Sequence, residues 1–282
     1  MIVFPHKLSI ITGVCGRNEI TEEWLKTTIS SCKDQHELII VSNGSTSEEN
    51  SQLILWLDKL RADGWSTLFV ESTDPLGTTA AFNLGVANST GELSLIIHND
   101  LLIKQDGWDR DLISFFDKTP QAGVVGLAGA KMIGHPQIYS KPYELLQLQR
   151  FVMFSSLEDW DKHGYHASVP TPVAVLDGIF LCSRREDIVR LGGFDQNYVH
   201  HMYDNDFCLK FFYEGKTNYV IPITCQHLNG QTANYPRYNE WLKSGRNINM
   251  DAEIHKLSHE FFYNKWRGKL PAKTDDLQFV LK

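Results

Sequence analysis

The stretch LSIITGVCGRNEITEEWLKTTISSCKDQHELIIVSNGSTSEENSQLILWLDKL, Leu8 to Leu60, decides the architecture. Leu8 to Val14 and Glu37 to Ser42 are short apolar runs rich in β-branched residues. Each is followed by a longer amphipathic stretch, Glu19 to Ser31 and Ser47 to Leu60. Short apolar runs bounded by polar turns read as strands covered on both faces, and the amphipathic stretches read as the helices that cover them. The rhythm continues outward through Ser66 to Glu71, Thr78 to Ala87 and Leu93 to His98, giving β-α-β-α-β-α-β. The expected fold class is α/β, a mostly parallel central sheet flanked by helices. In such sheets ligands gather beyond the carboxyl ends of the strands. Chemistry is therefore expected in Gly13 to Glu19, Asn43 to Ser47, Ser72 to Gly77 and His98 to Asp100.

Beyond Asp100 the pattern predicts a helix over Trp108 to Phe116, a strand over Gly123 to Ala128 and an irregular stretch from Met132 to Pro172. It resumes with a strand over Val173 to Cys182, a short helix over Arg184 to Arg190, a helix over Tyr203 to Tyr213 and a strand over Asn218 to Ile221. From Pro236 the chain reads as helical and aromatic. The expected division is a catalytic domain over 1–235 and a C-terminal helical extension over 236–282. No internal repeat or low-complexity segment interrupts either part.

With 282 residues, 42% of them hydrophobic, the chain is long enough for one large core. The formal net charge of −7 argues against a protein that holds nucleic acid through a broad basic face, while leaving room for a local basic groove, so a nucleic acid acceptor is disfavoured. The five cysteines are an odd number, widely spaced and without a CxxC pair. They read as reduced, buried thiols in a cytoplasmic protein. No apolar run approaches the ~20 residues of a membrane span, so a soluble protein is expected.

Three groups of residues can carry chemistry. His98-Asn99-Asp100 places an imidazole and a carboxylate two apart at the end of a buried strand, where they can hold Mn2+ or Mg2+ beside a diphosphate. Position alone equally allows an Asp capping the next turn and a His bonded at a strand end. Tyr203-Asp204-Asn205-Asp206 opens a predicted helix; the macrodipole accounts for one carboxylate there and leaves the other free to act as a general base. His227 follows a strand-like run ending at Cys225. Other features are set aside. His255 and His259 have i,i+4 spacing without the Glu of a zincin and read as surface; His200-His201 could contact a metal or phosphate but read first as solvated. Gly123-Val-Val-Gly126-Leu-Ala-Gly129 is not a dinucleotide fingerprint, and no Walker A sequence is present.

Taken in order, these segments resemble the family 2 glycosyltransferases of the GT-A fold over most of Leu8 to Thr232. Leu8 to Arg17 stands where the family has a strand ending in Pro-Thr-Tyr-Asn-Arg, and Val41-Ser-Asn-Gly-Ser-Thr46 is similar to its Val-Asp-Asn-Gly-Ser-Thr. Gly77-Thr-Thr-Ala-Ala-Phe-Asn83-Leu-Gly85 is similar to G-x-x-x-a-x-N-x-G, and His98-Asn99-Asp100 falls at the DxD position. Downstream, Gly178 to Arg185, Gly192-Gly-Phe-Asp195 and Asp204 to Lys210 continue the resemblance.

The resemblance implies a metal-dependent, inverting glycosyl transfer from a nucleotide-diphosphate sugar to the hydroxyl of a saccharide or other acceptor. Asp100 and His227 would hold the metal, with His98 as a further ligand, and Asp204 would accept the acceptor proton, Asp206 being the fallback. Donor contacts are expected from Gly13, Val14, Arg17, Glu19, Asn43, Gly77, Asn83, His98 and Asn99. Three positions depart from the family pattern: Ser42 replaces an aspartate, Phe82 an arginine and His98 the first DxD carboxylate. The competing functions are a GT-A protein that binds a nucleotide sugar or glycan without turnover, and a sugar nucleotidyltransferase. For the acceptor, the aromatic residues Trp108, Tyr139, Tyr143, Trp160 and Tyr165 are candidate lining, with Tyr235, Tyr238 and Trp241 from the tail. Leu228 to Thr232 reads as a lid over the diphosphate.

Overall fold

The structure, a computed structural model, describes residues 4–72, 75–134, 150–162, 164–198, 200–228, 235–244 and 251–276. The first half follows the alternation closely: β1 (His6–Val14), α1 (Asn18–Trp24), β2 (Glu37–Asn43), α2 (Ser47–Ala62), β3 (Ser66–Ser72), α3 (Thr78–Asn88) and β4 (Gly91–Ile97). A π-helical turn, Leu25–Ile29, extends α1. Then come β5 (Leu101–Ile103), α4 (Trp108–Lys118), β6 (Ala122–Gly126), β7 (Ala128–Ile133), β8 (Arg150–Ser155) and β9 (Tyr165–His166). The remainder is β10 (Thr171–Val173), β11 (Val175–Leu176), β12 (Phe180–Arg184), α5 (Arg185–Arg190), α6 (Tyr203–Tyr213), β13 (Thr217–Val220), β14 (Cys225–His227), α7 (Pro236–Ser244), α8 (Asp251–Trp266) and β15 (Ala272–Lys273).

Among the described residues the main sheet has the order β10-β13-β6-β12-β4-β1-β2-β3. The pairs β4–β1, β1–β2 and β2–β3 are parallel, as is β13–β6, whereas β12 runs antiparallel to both its neighbours. Alternate residues of each central strand face opposite layers. Leu8, Ile10, Leu38, Ile40, Leu93 and Leu95 meet Trp24, Leu53, Leu57, Trp108 and Phe116 on one face. Ile11, Ile39, Val41 and Ile96 meet Phe82 and Val86 of α3, Phe207 and Phe211 of α6 and Phe262 and Trp266 of α8 on the other. Each such fully buried side chain contributes about 1.5–3 kcal/mol, which fixes the strand register because a one-residue slip would exchange the two faces.

Two strand predictions fail where the chain changes sheets. Gly123 to Ala128 divides into β6 of the main sheet and β7 of a second sheet, ordered β11-β7-β8-β9 with β15 pairing the end of β7 beyond β11. Val173 to Cys182 divides into β10, β11 and β12, passing from the main sheet to the second and back. An apolar run records burial but not which sheet buries it. The stretch expected to be irregular, Met132 to Pro172, contains β8, β9 and a 3₁₀ turn at Trp160–Lys162 within its described part.

The residues after α7 pack onto this framework. Phe262 is fully buried, Trp266 nearly so, and β15 pairs antiparallel with β7. All five cysteines are unpaired, and Cys15, Cys182, Cys208 and Cys225 are buried. Among the described residues no helix is long and apolar enough to cross a membrane.

Candidate active site

The carboxyl ends of β1, β2 and β4 open onto a cavity of about 300 Å3, lined also by the start of α6 and by His227 of β14. The β2 end is built by Asn43-Gly44-Ser45-Thr46. The Asn43 side-chain oxygen accepts from the Leu76 N–H at 2.6 Å, Ser45 Oγ accepts from the Gly16 N–H at 2.9 Å, and Thr46 caps α2 reciprocally with Glu49. Gly44 has φ of +88°, and a Cβ there would lie 2.6 Å from the Pro75 ring, so only glycine allows β2 to turn this closely under the β3–α3 loop.

His98 and Asp100 stand on the turn that carries the chain from β4 into β5. Because β14 pairs antiparallel with β5, with His227 opposite Leu101, the late histidine is delivered to the same turn. His227 Nε2 lies 3.2 Å from Asp100 Oδ1, and His98 Nδ1 lies 3.8 Å from the same oxygen. A ligand atom from each of the three residues falls within 4.8 Å of the others. Burial pushes the His98 pKa below its ordinary value; Asp100 and Asp177 oppose that shift and His227 adds to it. A neutral imidazole has a lone pair to offer a cation. His98 Nε2 is 3.1 Å from the Tyr203 hydroxyl, which orients the ring from its far side. Asn99 lines the cavity with its amide donating to Thr21 Oγ1 at 2.8 Å. Two imidazoles and a carboxylate make a donor set that suits Mn2+ and is less suited to Mg2+, which prefers oxygen.

Asp204 occupies the first turn of α6 and lines the same cavity. Its Oδ1 accepts from the Asn205 backbone and side-chain N–H groups, both at 2.8 Å, and its Oδ2 from the Gly178 N–H at 3.1 Å. Gly178 permits this approach, since a Cβ there would sit 2.2 Å from the Tyr203 hydroxyl oxygen. Burial raises the Asp204 pKa above the usual carboxylate range; Arg150 draws it down and Asp177 pushes it further up. Such a carboxylate is a stronger base than an exposed aspartate.

Asp206, two residues on, faces elsewhere. It is fully buried, and its Oδ1 accepts from Trp266 Nε1 at 2.8 Å, Lys265 Nζ at 2.7 Å and the Tyr198 hydroxyl at 3.3 Å. It ties α6 to α8 and lies outside the cavity lining.

Of the other residues singled out in the sequence, Gly13, Val14 and Asn43 line the cavity, as do His98, Asn99, Asp100, Asp204 and His227. Arg17, Glu19, Gly77 and Asn83 do not. Arg17 and Glu19 pair with each other at 2.5 Å near the surface. Gly77 is the N-cap of α3, and Thr78 beside it reaches the lining. The Asn83 amide is committed to the Phe194 backbone, donating to its carbonyl and accepting from its N–H, both at 2.8 Å, so it holds the Gly-Gly-Phe loop.

Among the proposed aromatic acceptor residues, Tyr238 lines the cavity with Trp241 packed beside it. Trp108 is fully buried and donates to the Thr28 carbonyl, so it belongs to the core. The Tyr235 ring covers Gly16, with its hydroxyl on Glu49. Tyr165 is exposed, as is Trp160. Tyr139, Tyr143 and Asn229 to Thr232 of the expected lid lie outside the described residues.

The cavity also contains residues that sequence reasoning passed over: Arg150, Asp177, Tyr203, His200 and His201. Asp177-Gly178 was visible as a charge and a glycine inside an apolar run, which is the signature of a break. His200 and His201 read as solvated, yet His201 packs edge-on against His255, which stacks on His259 with ring centroids 3.9 Å apart. The i,i+4 pair read as surface therefore backs the cavity wall.

The model of glycosyl transferase family 2 matches residues 9–138, the span that holds β1 to β4 and the His98-Asn99-Asp100 turn. This is a glycosyltransferase of the GT-A fold, its match to family 2 confined to residues 9–138. Similar solved structures include the mannosyltransferase PcManGT from Pyrobaculum calidifontis in complex with GDP-Man and Mn2+, at 17% identity and a TM-score of 0.57, over 92% of this chain and 69% of that one. GalNAc-T7 with UDP, GalNAc and Mn2+ matches at 11% identity and a TM-score of 0.57, over 94% of this chain and 57% of its own. S. aureus TarS 1-349 matches at 14% identity and a TM-score of 0.55, over 93% and 72%. At these identities the similarity carries the fold of the glycosyltransferase across most of its length. No curated protein matches the sequence significantly.

Proposed function

We propose that this glycosyltransferase is metal-dependent and inverting, moving a sugar from a nucleotide-diphosphate donor to an acceptor hydroxyl. The observation that carries the proposal is the convergence of His98, Asp100 and His227 on one point, with Asp204 lining the same cavity. GDP-Man and Mn2+ in one similar structure, and UDP and Mn2+ in another, support the donor class and the metal.

Asp100, His227 and His98 would hold the Mn2+ or Mg2+ ion, which supplies positive charge against the departing nucleoside diphosphate. The chain's own residues do the rest. Gly13, Val14 and Asn43 border the donor side, and the N-terminus of α3 at Gly77 and Thr78 turns free backbone N–H groups toward an anion. Phe82, at the position where the family has an arginine, packs within 6.1 Å of the His98 ring and makes the floor apolar, which keeps water from the reacting carbon. Asp204 accepts the proton from the acceptor hydroxyl on the face opposite the leaving group, so the anomeric configuration inverts. Tyr238 offers an aromatic face to a saccharide acceptor. The unpaired cysteines support a reducing, cytoplasmic setting.

The test is nucleoside diphosphate release in Mn2+ from a panel that includes GDP-mannose and UDP-N-acetylgalactosamine, with saccharide acceptors. Donor-dependent release that disappears in Asp204→Asn supports the proposal; release that continues unchanged in that variant removes Asp204 from the role.

A further inference from the structure

Asp204 does not stand alone in its wall. Arg150, the first residue of β8, and Asp177, in the break between β11 and β12, line the same cavity. Arg150 Nη1 lies 3.6 Å from Asp177 Oδ2, and this buried nitrogen makes no hydrogen bond among the described residues. At this separation Nη1 meets Asp177 as an ion pair. Asp177 is joined directly to Gly178, whose N–H holds Asp204 Oδ2. Three charges from three separate segments, two negative and one positive, thus meet beside the acceptor space.

We propose that Arg150 and Asp177 are positioning residues for Asp204: the Arg150 guanidinium keeps the buried carboxylate in its proton-accepting form, and Asp177 holds Arg150 in place and moderates its effect. The inference rests on the reading of Asp204 as the base.

The physical argument is one of balance. Burial alone would protonate Asp204 and remove its ability to take a proton, and a second carboxylate nearby works in the same direction. Arg150 opposes both, and the influence is mutual, since Asp177 and Asp204 hold the guanidinium charged against its own burial. With Arg150 unopposed, Asp204 would be a weak base; with Asp177 unopposed, it would be neutral. The pair sets it between those limits, where a general base works best. The other groups facing Asp204 cannot replace this control. Tyr203, Tyr198 and Cys208 are held neutral by burial, and Asp206 is occupied by Lys265 and Trp266.

The experiment is a carboxyl 13C titration of the protein labelled at aspartate, with the Asp204 resonance identified by its loss in Asp204→Asn. In Arg150→Met the Asp204 titration should move up by ~1 unit or more, in Asp177→Asn it should move down, and Arg150→Lys should restore most of the wild-type midpoint. Thermal melting of each variant checks its folding, and if Arg150→Met does not fold, the Lys and Asn variants carry the test. An Asp204 midpoint that stays put in the folded variants overturns the proposal. The titration requires no turnover, so its failure is distinct from failure of the base assignment, which the Asp204→Asn activity assay reads separately.

Discussion

His227 and Asp100 are 127 residues apart in sequence, yet their Nε2 and Oδ1 atoms meet at 3.2 Å because β14 is zipped to β5. The contact is between a hydrogen-bonding pair that a divalent cation can enter. Asp100→Ala and His227→Ala should each weaken Mn2+ binding by roughly tenfold or more, since even outer partners of a metal site are worth that much. Calorimetric titration with Mn2+ alone measures it, and wild-type affinity in both variants would rule out the metal assignment.

Asp204→Asn keeps the hydrogen-bonding shape of the side chain but cannot take a proton. The expected result is a fall in kcat of about 10²–10⁴-fold with donor affinity nearly unchanged. Steady-state kinetics with a fluorescence-detected donor titration separates the two, and a selective loss of donor affinity would instead place Asp204 on the donor.

Asn83→Ala removes both amide bonds to the Phe194 backbone, leaving a buried N–H and carbonyl without their partner. The expected cost is about 2 kcal/mol of stability. Urea unfolding followed by circular dichroism provides the number, and a direct part in donor binding would appear as an affinity loss larger than the unfolding data explain.

Asp206→Ala strips a fully buried carboxylate from Lys265, Trp266 and Tyr198. Because Lys265 retains Asp195 and is partly exposed, the cost should sit near the lower end for a broken buried pair, about 3 kcal/mol. Limited proteolysis should then cut within α8 before it cuts the sheet. Stability and cleavage like those of the wild type would show that α8 is held by its apolar residues alone.

Burial lowers the His259 pKa to about 4, with His255, His201 and Arg150 adding to the fall and a bond to the His255 carbonyl opposing it. The folded protein thus keeps this imidazole neutral where the unfolded chain, near 6.5, takes up a proton. The stabilisation is complete above about pH 6.5 and is lost as pH drops from there toward about 4. Melting temperature against pH should decline over that window, and less steeply in His259→Phe. Parallel curves would assign the decline to other groups.

The helices and strands up to Ile97 were legible in the sequence because each apolar run is buried on both faces of one sheet and each amphipathic stretch covers it. Asp100, Asp204 and His227 were legible because they follow strands or open a helix in a recognisable order. The division of Val173 to Cys182 was not, since β11 and β12 bury similar residues in different sheets. Arg150 was invisible because nothing around it forms a motif; its importance comes from Asp177, across the cavity wall. Asn83 shows the converse case, in which a motif position marks a loop fastening. The sequence favoured Asp204 over Asp206 only by its order in the motif, and the structure separates them by the cavity that Asp204 lines and the α8 contacts that Asp206 makes.

The placement of α8 has a consequence for descent. Residue 206 serves Lys265 and Trp266 of α8 together with Tyr198 and Lys210, while residue 204, less than one helical turn away, answers to the cavity. A relative that has lost the equivalent of α8 loses two of these four partners and is freer to change the acid at 206. The second carboxylate of the Asp-Asn-Asp sequence should therefore vary with the tail more than the first does.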